Sequence, residues 1–289
     1  MRTILITGSS GFIGSYLAQR LLDENYKVYG LSRQNNQKLK GTNYLWISAD
    51  LLSNRLDLPK EIDCCIHAAA LSPDLGLKTY DFVSHNIIAT HNLLSTLEKT
   101  NCKHIIFLSG VSVYGNVMEP IINEKTLIRN PDPYGLSKLL AEYVLKDQES
   151  IPVCILRLPG VLGKGAYTPW LVRQIRKAIR NEKIKVYNPD APFNNAVWVD
   201  DLCDFIITIL CRPLEDHQMF LLGAKSNQAV NSIINQILIQ TGSKSKVEEI
   251  TGTTSFALNI SKAIGAEYAP QTVKSMLSRQ IEHELSVER

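Results

Sequence analysis

Short apolar runs and helix-length segments alternate through the first part of the chain. Five runs rich in β-branched residues come first, RTILITG, YKVYGLS, NYLWISA, IDCCIHAAA and HIIFLSG, and PVCILRL follows later. Their hydrophobicity is nearly continuous, which is typical of strands covered on both faces of a parallel sheet. Between them lie helix-length segments at 12–24, 79–99 and 134–148. This order predicts an α/β fold, a Rossmann doubly wound parallel sheet with right-handed crossovers.

The pattern loosens after about residue 160. A helix candidate, TPWLVRQIRKAIRNE, and a polar stretch, VYNPDAPFNN, precede further helical segments at 199–211, 231–240 and 271–284. We therefore predict a dinucleotide-binding domain over 1–160 and a smaller, mostly helical substrate-binding part over 161–289. A segment near 199–211 is expected to return to the Rossmann body.

Composition and charge narrow the function classes. The 289 residues carry 31 Lys and Arg against 28 Asp and Glu, a net charge of +3, which is too weak to indicate a nucleic-acid groove or a membrane-docking face. No apolar stretch approaches the ~20 residues of a membrane span. The start, MRTILITGSS, leaves no room for a signal peptide before a Gly-rich turn. We expect a cytoplasmic protein that binds neither nucleic acid nor membrane.

The cysteines and histidines do not form a recognisable metal site. The cysteines contain no CxxC pair, and most lie inside apolar runs, which predicts reduced core thiols rather than a metal site or disulfides. Four of the six histidines have no metal-ligand spacing and are interpreted as structural or surface residues. These residues are Cys64, Cys65, Cys102, Cys154, Cys203, Cys211, His67, His85, His91 and His104.

The first apolar run leads into TGSSGFIG at 7–14, which opens a helix. Gly8 permits the tight turn, Gly11 lets the backbone approach a pyrophosphate, and Gly14 lets the helix pack on the strand. Because the motif lies between a strand and a helix, it indicates dinucleotide binding. The cofactor contacts expected from this segment are Gly8, Ser10, Gly11, Phe12, Ile13 and Gly14.

The ends of the next two strands carry the residues that would read the adenosine half of the cofactor. The second run ends in Ser32-Arg33, where an acidic residue would accept from a ribose 2′-hydroxyl. Arg33 would instead donate to a 2′-phosphate in a charge-assisted contact of ~1.5–3 kcal/mol, which favours NADP(H) over NAD(H). The alternative is a solvated or adenine-stacking arginine. Asp50 and Leu51 follow the third run, and Asp50 either accepts from the adenine amino group or forms a turn or helix cap.

Tyr134 and Lys138 are four residues apart in a predicted helix, which places both side chains on one face. An ammonium beside a phenol favours the phenolate, so we expect the pKa of Tyr134 to move from about 10 towards neutral. Tyr134 would then exchange a proton with a substrate hydroxyl or carbonyl while a nicotinamide exchanges a hydride. The alternative is an exposed pair on a helix surface.

Taken together, these motifs resemble the extended short-chain dehydrogenases/reductases, which are NAD(P)-dependent nucleotide-sugar epimerases, dehydratases and reductases. TGSSGFIG is similar to the family's TGxxGxxG, and Tyr134-Gly-Leu-Ser-Lys138 to its YxxxK. The resemblance covers nearly the whole chain and implies that Tyr134 and Lys138 are catalytic and that the protein is a homodimer. The other matching segments are Asp50-Leu51, His67-Ala68-Ala69-Ala70, Arg157-Leu-Pro-Gly-Val, Trp198-Val-Asp-Asp201 and 261–270. The further cofactor contacts that it implies are Ala68, Ala69, Ala70, Tyr134, Lys138 and Pro159.

One position departs from the family. Its members usually have Ser or Thr four residues before the tyrosine of the VYG element, Tyr114 here, and this chain has Gly110. Loss of such a hydrogen-bond donor can cost ~10²–10³ in rate. If the backbone stays extended, Gly110 and Ser112 point the same way, which favours Ser112 as the substitute and Ser109 as the second choice. A catalytically impaired homologue is the other interpretation.

Candidate substrate contacts are less specific. Asn86 is similar to a family asparagine near the active site, although an asparagine there could simply bond to backbone. The part expected to cover the substrate offers cations, amides and rings that suit a nucleotide diphosphate and base, but such residues are also common on polar surfaces. These residues are Lys164, Tyr167, Trp170, Arg173, Asn194 and Asn195.

The resemblance and Arg33 together predict an NADP(H)-dependent reductase of a nucleotide-linked 4-keto sugar, such as a 4-keto-6-deoxyhexose of bacterial surface-polysaccharide synthesis. The family pairs NADP mostly with net reductases and tightly held NAD with epimerases. A 4-epimerase is the alternative enzyme, and a dehydratase is disfavoured because Val111-Ser112 stand where such enzymes have Asp-Glu. A cofactor-binding regulator or scaffold is the alternative from another class, and Gly110 is its only support.

Overall fold

The computed structural model describes residues 1–35, 39, 41–53, 55–73, 76–250 and 255–287. The helices are α1 (Phe12–Asp23), α2 (Thr79–Phe82), α3 (Ala89–Leu97), α4 (Pro133–Lys146), α5 (Trp170–Ile179), α6 (Val199–Leu210), α7 (Val230–Thr241), α8 (Ser261–Gly265) and α9 (Val273–Val287). A π-helical turn, Val83–Ile88, joins α2 to α3, and a 3-10 helix covers Val111–Tyr114.

The strands are β1 (Thr3–Thr7), β2 (Lys27–Ser32), β3 (Tyr44–Ser48), β4 (Glu61–Ile62), β5 (Cys64–His67), β6 (Asn101–Cys102), β7 (Ile105–Gly110), β8 (Ile121–Ile122), β9 (Val153–Leu158), β10 (Gly160–Leu162), β11 (Ile184–Tyr187), β12 (Pro192–Phe193), β13 (Ala196–Trp198), β14 (Gln218–Leu221), β15 (Gln228–Ala229), β16 (Val247–Ile250) and β17 (Ala257–Leu258).

The central sheet has the order β14-β9-β7-β5-β1-β2-β3 within the described residues. The pairs β1–β2, β2–β3, β1–β5 and β5–β7 are parallel. All six predicted runs are strands of this sheet, and the predicted doubly wound α/β fold is confirmed. The strand order reverses between β1 and β5, and in open α/β sheets that reversal opens a crevice at the carboxyl ends of the strands.

Burial explains why the apolar runs are continuous. Every residue of β5, β7 and β9 is buried, because these central strands are covered on both faces. The edge strand β3 has exposed side chains at Leu45 and Trp46. All six cysteines lie in the described residues as free thiols, and each is buried except Cys211, which is exposed.

Local signals set the start of α4, the helix that carries Tyr134. The Asp132 carboxylate caps it by accepting a 2.7 Å hydrogen bond from the Gly135 amide. Pro133 occupies the first turn, where its missing N–H costs nothing. An acidic cap of this kind stabilises a helix by ~0.5–2 kcal/mol. The sequence Asp-Pro-Tyr therefore fixes Tyr134 within the first turn.

The helical segment predicted over 79–99 is interrupted. The π-helical turn at Val83–Ile88 widens the helix between α2 and α3. Such turns are rare and mark functional sites more often than chance. Asn86 lies in this turn and is buried.

The chain divides into two compact units that are discontinuous in sequence. Unit 1 contains Met1–Gly115, Ile128–Arg157 and Ile206–Phe220, and unit 2 contains Asn116–Leu127, Leu158–Phe205 and Leu221–Arg289. The predicted bounds of 1–160 and 161–289 differ from these units at 116–127 and 158–160, because chain contacts group segments that are distant in sequence. The segment expected near 199–211 to return to the first domain is divided, since 206–220 belongs to unit 1 and 199–205 to unit 2. In the described residues of unit 2, the helices α5, α7, α8 and α9 accompany the strand pairs β10–β13, β11–β16, β12–β15 and β8–β17.

No helix within the described ranges is both long and apolar enough to cross a membrane.

Candidate active site

A cavity of about 680 Å³ opens in unit 1 where β1, β2, β3 and β5 end. Most of its walls come from the ends of these strands and the loops that follow them, as the strand order requires, and His85 and Ala89 add the π-helical turn and the start of α3. The lining residues are Gly8, Ser10, Gly11, Leu31, Ser32, Arg33, Gln34, Ala49, Asp50, Leu51, Leu52, Ala68, Ala69, Ala70, Leu71, His85 and Ala89. Most of the cofactor contacts expected from the sequence thus meet around one cavity.

Glycines bring the first loop close to its neighbours. Gly8 has a φ of +69°, a conformation that favours glycine, and a Cβ there would lie 2.8 Å from the Ala69 Cα. A Cβ on Gly14 would lie 2.2 Å from the carbonyl oxygen of Gly8. Neither position tolerates a side chain, so these glycines let β1, α1 and the loop after β5 pack together.

The amino end of α1 fits an anionic group. Gly11 caps the helix with an extended backbone and brings no side chain that could bond to the first-turn N–H groups. Phe12, Ile13 and Gly14 occupy that first turn. Unpaired helix N–H donors together with the helix dipole form an anion site. This end of the cavity therefore suits the pyrophosphate of a dinucleotide.

The adenosine side of the cavity has two charged residues. Arg33 is exposed and lines the cavity immediately after β2. Asp50 also lines it, but its Oδ1 atom accepts a 3.0 Å hydrogen bond from the Leu52 amide. The Asp50 carboxylate thus stabilises a turn, which is the alternative interpretation of this residue. Its other oxygen, Oδ2, remains the atom that could accept from an adenine amino group. Leu51 is buried beside Asp50.

Tyr134 contacts Phe82 edge to face, with ring centroids 5.9 Å apart. Burial, with the charge of Asp132 adding to it, raises the pKa of Tyr134 to about 12. The expectation that Lys138 lowers this pKa is therefore wrong for this structure. Burial of the phenol itself comes first among the causes, and the nearby Asp132 carboxylate acts in the same direction.

Lys138 is 2% exposed, and burial lowers its pKa to about 7, with the Glu142 charge acting in the opposite direction. Its Nζ atom lies 4.1 Å from the centroid of the Phe107 ring. With a pKa of about 7, the amine of Lys138 is protonated in only about half of the molecules at pH 7. Such an amine cannot strongly stabilise a neighbouring phenolate. Tyr134 and Lys138 are four residues apart on α4, which places them on one face, as predicted. The predicted lowering of the Tyr134 pKa by Lys138 does not occur.

A buried ion pair continues the same face of α4. Glu142 accepts hydrogen bonds from Arg157 Nε at 3.0 Å and Arg157 Nη2 at 2.6 Å. Ser109 Oγ donates to Glu142 Oε1 at 2.5 Å, and the guanidinium carbon of Arg157 lies 4.8 Å from the Tyr114 ring centroid. The Ser109 hydroxyl proton is therefore already donated to Glu142, which disfavours Ser109 as the substitute donor. Glu142 was not singled out from the sequence, although a carboxylate one turn beyond Lys138 on a buried face was a signal.

Ser112 lies on the 3-10 helix that follows β7. Gly110 is extended, with φ −143° and ψ 154°, but the backbone then turns at Val111–Tyr114, so the alternation that favoured Ser112 does not hold. Another observation keeps Ser112 a candidate. Its Oγ atom is buried and has no hydrogen-bond partner within the described part of the chain. A buried hydroxyl without a partner is costly unless a ligand uses it.

Asn86 bonds to backbone rather than facing open space. Its Oδ1 atom accepts from the Leu71 amide at 2.7 Å, and its Nδ2 atom donates to the Leu71 carbonyl at 3.1 Å and to Ser137 Oγ at 2.9 Å. This is the structural alternative considered for Asn86. The residue joins the cavity loop to α4.

In unit 2, the two asparagines are also engaged with backbone. The Asn194 amide bonds to both the N–H and the carbonyl of Leu258, at 2.8 and 2.9 Å. Asn195 Nδ2 donates to the Phe256 carbonyl at 2.9 Å, while its buried Oδ1 atom has no partner in the ranges described. The Asn194 amide is thus occupied, and a substrate role for it is not favoured.

The remaining predicted contacts of unit 2 lie on the loop after β10 and on α5. Lys164, Tyr167 and Arg173 are exposed, and the Trp170 ring packs on Phe193 with centroids 5.4 Å apart. Pro159 separates β9 from β10. Substrate or cofactor contact at these residues stays a prediction.

Comparison with known proteins agrees with this geometry. The sequence profile of the NAD dependent epimerase/dehydratase family matches residues 4–223. The chain is 26% identical over 285 residues to the uncharacterized UDP-glucose epimerase YtcB of Bacillus subtilis (strain 168), covering 90% of each protein. It is 30% identical over 255 residues to a dTDP-D-glucose 4,6-dehydratase of Dictyostelium discoideum, covering 77% of this chain and 58% of that one.

A solved structure shows the same fold. The crystal structure of UDP-glucuronic acid 4-epimerase from Bacillus cereus in complex with NAD has a TM-score of 0.85 at 24% identity, covering 99% of this chain and 100% of that one. The family match spans well over half of the chain and contains the glycine motif, the cavity and α4. The chain therefore belongs to the NAD dependent epimerase/dehydratase family and is an enzyme of the extended short-chain dehydrogenase/reductase type.

Proposed function

We propose that this enzyme reduces a 4-keto nucleotide-diphosphate sugar, of the 4-keto-6-deoxyhexose type, with NADP(H) as the cofactor. The observation that carries the proposal is the position of Arg33 on the wall of the cavity, directly after β2. An acidic residue that accepts from a ribose 2′-hydroxyl is expected there in an NAD enzyme. The guanidinium of Arg33 suits a 2′-phosphate instead.

The state of Tyr134 supports reduction. Reduction of a ketone adds a hydride to the carbonyl carbon and a proton to its oxygen. When bound, the dinucleotide supplies the hydride. A phenol with a pKa of about 12 keeps its proton at neutral pH, so Tyr134 serves as the proton donor and recovers the proton from solvent after the step.

The other residues around Tyr134 orient it. Phe82 packs on the edge of its ring, and the cap at Asp132 fixes the first turn of α4. Ser112 offers a buried hydroxyl that has no partner in the described residues, and we assign it the hydrogen bond to the reacting oxygen that Gly110 cannot make. A donor of this kind acts on the charge that develops at that oxygen.

A 4-epimerase is the second candidate, and some of the relatives carry the name of an epimerase. YtcB is named as a UDP-glucose epimerase, and a UDP-glucose 4-epimerase of Bacillus subtilis (strain 168) is 31% identical over 162 residues, half of this chain. An epimerase would oxidise and re-reduce the same carbon without net consumption of cofactor. The absence of an Asp-Glu pair at Val111-Ser112 disfavours a dehydratase.

Stoichiometry of the cofactor separates the two candidates. Purified enzyme is incubated with NADPH and a dTDP- or UDP-linked 4-keto-6-deoxyglucose, and in parallel with NAD⁺ and UDP-glucose. We expect one NADPH oxidised per sugar and a product heavier by two hydrogens, with no product from Tyr134→Phe although that variant still binds NADPH. Interconversion of UDP-glucose and UDP-galactose without loss of cofactor would establish the epimerase instead.

We also propose a homodimer, which the resemblance implies. Leu136, Leu140 and Tyr143 are exposed on α4 at a spacing that forms one stripe along the helix. A second copy of the chain is the occupant that we assign to this stripe. Light scattering coupled to gel filtration should give twice the mass of one chain for the wild type and one chain mass for Leu140→Glu, whereas a monomeric wild type would refute the assignment.

A further inference from the structure

His67 lies at the carboxyl end of β5, is 1% exposed, and bonds through both ring nitrogens. Its Nδ1 atom is 2.7 Å from Thr7 Oγ1, and its Nε2 atom is 2.9 Å from Thr90 Oγ1. Thr7 ends β1, and Thr90 lies in the first turn of α3. The imidazole therefore joins a central strand to the helix that follows the π-helical turn.

The neighbours of the two hydroxyls fix where the protons lie. Thr90 Oγ1 donates to the Asn86 carbonyl at 2.6 Å, so it can only accept from His67 Nε2–H. The Nδ1 atom then has no proton and accepts from Thr7 Oγ1. The Thr7 oxygen in turn accepts from the Ala69 amide at 3.2 Å. One neutral tautomer, protonated at Nε2, satisfies every bond.

The chain of bonds continues to α4. Asn86 Nδ2 donates to Ser137 Oγ, and Ser137 Oγ donates to the Tyr134 carbonyl at 2.7 Å. The Asn86 amide also holds both the N–H and the carbonyl of Leu71. The bonds from Ala69, which lines the cavity, run through Thr7, His67 and Thr90 to the backbone carbonyl of Asn86. The side chain of Asn86 then connects Leu71, which also lines the cavity, to Ser137 and so to the Tyr134 carbonyl.

The His67 imidazole and the Lys138 ammonium contact the same phenyl ring, that of Phe107. The imidazole stacks on Phe107 with centroids 5.4 Å apart and planes inclined by 29°, and Lys138 Nζ lies against that phenyl ring. Burial, with the charge of Lys138 adding to it, lowers the pKa of His67 to about 3. The histidine is uncharged at neutral pH, in agreement with its bonds.

We propose that His67 is a positioning residue that couples the dinucleotide cavity to the catalytic helix α4. Through Thr7 it fixes the amide of Ala69, and through Thr90 and Asn86 it fixes the start of α4. Loss of any hydrogen bond between Ala69 and the start of α4 should disturb both the cavity and α4, because a fully connected network acts as a unit. The inference rests on the proposed function only in taking the cavity as the dinucleotide site and Tyr134 as the proton donor.

The first test observes His67 directly in the wild-type enzyme. Nitrogen-15 NMR of labelled histidine should show one His67 ring with a protonated Nε2 and an unprotonated Nδ1, unchanged from pH 5 to pH 9. A ring protonated at Nδ1, or a titration near the ordinary histidine pKa of about 6.5, would overturn the network. This readout requires no substrate and no turnover.

The second test measures coupling between the two ends of the network. Thr7→Val and Thr90→Val each remove one hydroxyl with little change in volume, and NADPH affinity is measured by fluorescence titration. We expect about 5- to 20-fold weaker binding for each variant, and less than about threefold further loss in the double variant, because the network is already broken. If the fold-losses of NADPH affinity in the two single variants multiply in the double variant, the proposed coupling is refuted.

Two controls separate coupling from general damage. Thr96→Val removes a matching hydroxyl-to-carbonyl bond, to Asn92 on α3, outside the network, and should leave NADPH affinity unchanged. Thr90→Ser restores the hydroxyl and should restore binding to within about twofold of the wild type. A failure of Thr90→Ser to do so would show that Thr90 acts by packing alone. Failure of the wild type to bind any nicotinamide dinucleotide would instead refute the proposed function.

Discussion

The Nζ atom of Lys138 lies 4.1 Å from the centroid of the Phe107 ring, in surroundings that exclude nearly all water from the side chain. A cation over an aromatic face is attracted to it, but the attraction of ~0.5–2 kcal/mol does not replace a lost hydration shell. The lysine responds by lowering its pKa to about 7. The fraction of Lys138 that is protonated at neutral pH will therefore change when a charged ligand binds beside it.

Lys138→Met should stabilise the ligand-free protein in a pH-dependent way. Between about pH 7 and pH 10.5 the unfolded chain binds a proton at Lys138 that the folded chain does not, so wild-type stability rises with pH across this window. The gain from methionine should be largest below pH 7 and vanish above the unfolded-state pKa. Urea unfolding at pH 6, 8 and 10 measures it, and a gain independent of pH would contradict the assigned cause.

Arg33→Ala should abolish a preference for NADP(H). One charge-assisted contact of ~1.5–3 kcal/mol corresponds to about 10- to 150-fold in affinity. Calorimetric titration of NADPH and NADH into both proteins measures the ratio. Arg55→Ala, at another exposed arginine outside the cavity lining, is the matched control and should keep the wild-type ratio. Equal affinities in the wild type would remove the argument for NADP(H).

Ser112→Ala should reduce kcat by ~10²-fold or more, on the scale of one lost donor to a developing oxyanion. Its unfolding free energy should hardly change, because the buried hydroxyl has no partner to lose among the described residues. If water or the substrate's own hydroxyl fills the place, Ser112→Ala will be mild and Gly110→Ser will raise the rate. Turnover of one accepted substrate by these variants decides between the two.

Ser109→Ala should show the opposite behaviour. Its hydroxyl donates to the buried Glu142 carboxylate, so removal leaves a charged acceptor short of one donor, at a cost of ~1–3 kcal/mol in unfolding free energy. The effect on kcat should be much smaller than that of Ser112→Ala. Chemical denaturation and kinetics on the same preparation test both parts, and a large loss of kcat at unchanged stability would restore Ser109 as a catalytic candidate.

Glu142→Ala should destabilise the protein by ~3–5 kcal/mol, because Arg157 would remain buried and unpaired. Replacing both partners, as in Glu142→Leu with Arg157→Met, should recover most of that loss. The exposed pair Arg20–Glu24 is the control, and Glu24→Ala should leave stability unchanged within error. If the double variant loses as much unfolding free energy as Glu142→Ala, packing rather than the unpaired charge is responsible.

The sequence predicts the sheet well because its signal is local burial. Strands such as β5 and β7 are covered on both faces, and their continuous hydrophobicity follows directly. The glycine motif is equally clear, since a positive φ at Gly8 and the close approach at Gly14 exclude side chains. Residues that meet at the ends of parallel strands could therefore be assigned to one cavity.

Other properties depend on packing between distant segments. The spacing of Tyr134 and Lys138 is visible in the sequence and predicts a lowered pKa for Tyr134, whereas the burial of both side chains, which raises that pKa and lowers the pKa of Lys138, is not visible there. The π-helical turn around Asn86 and the 3-10 turn that carries Ser112 have no periodic signature. The grouping of 116–127 with unit 2 likewise follows from contacts made far along the chain.

The position of β14 in the sheet has a consequence for synthesis on the ribosome. β9 lies between β7 and β14, yet roughly 60 residues separate its end from the start of β14. At ~5–20 residues per second, translation leaves β9 without its outer neighbour for about 3–12 s. An apolar strand with open backbone groups is a template for aggregation during that interval. Nascent chains stalled between these two strands should therefore depend on chaperones more than the released enzyme does.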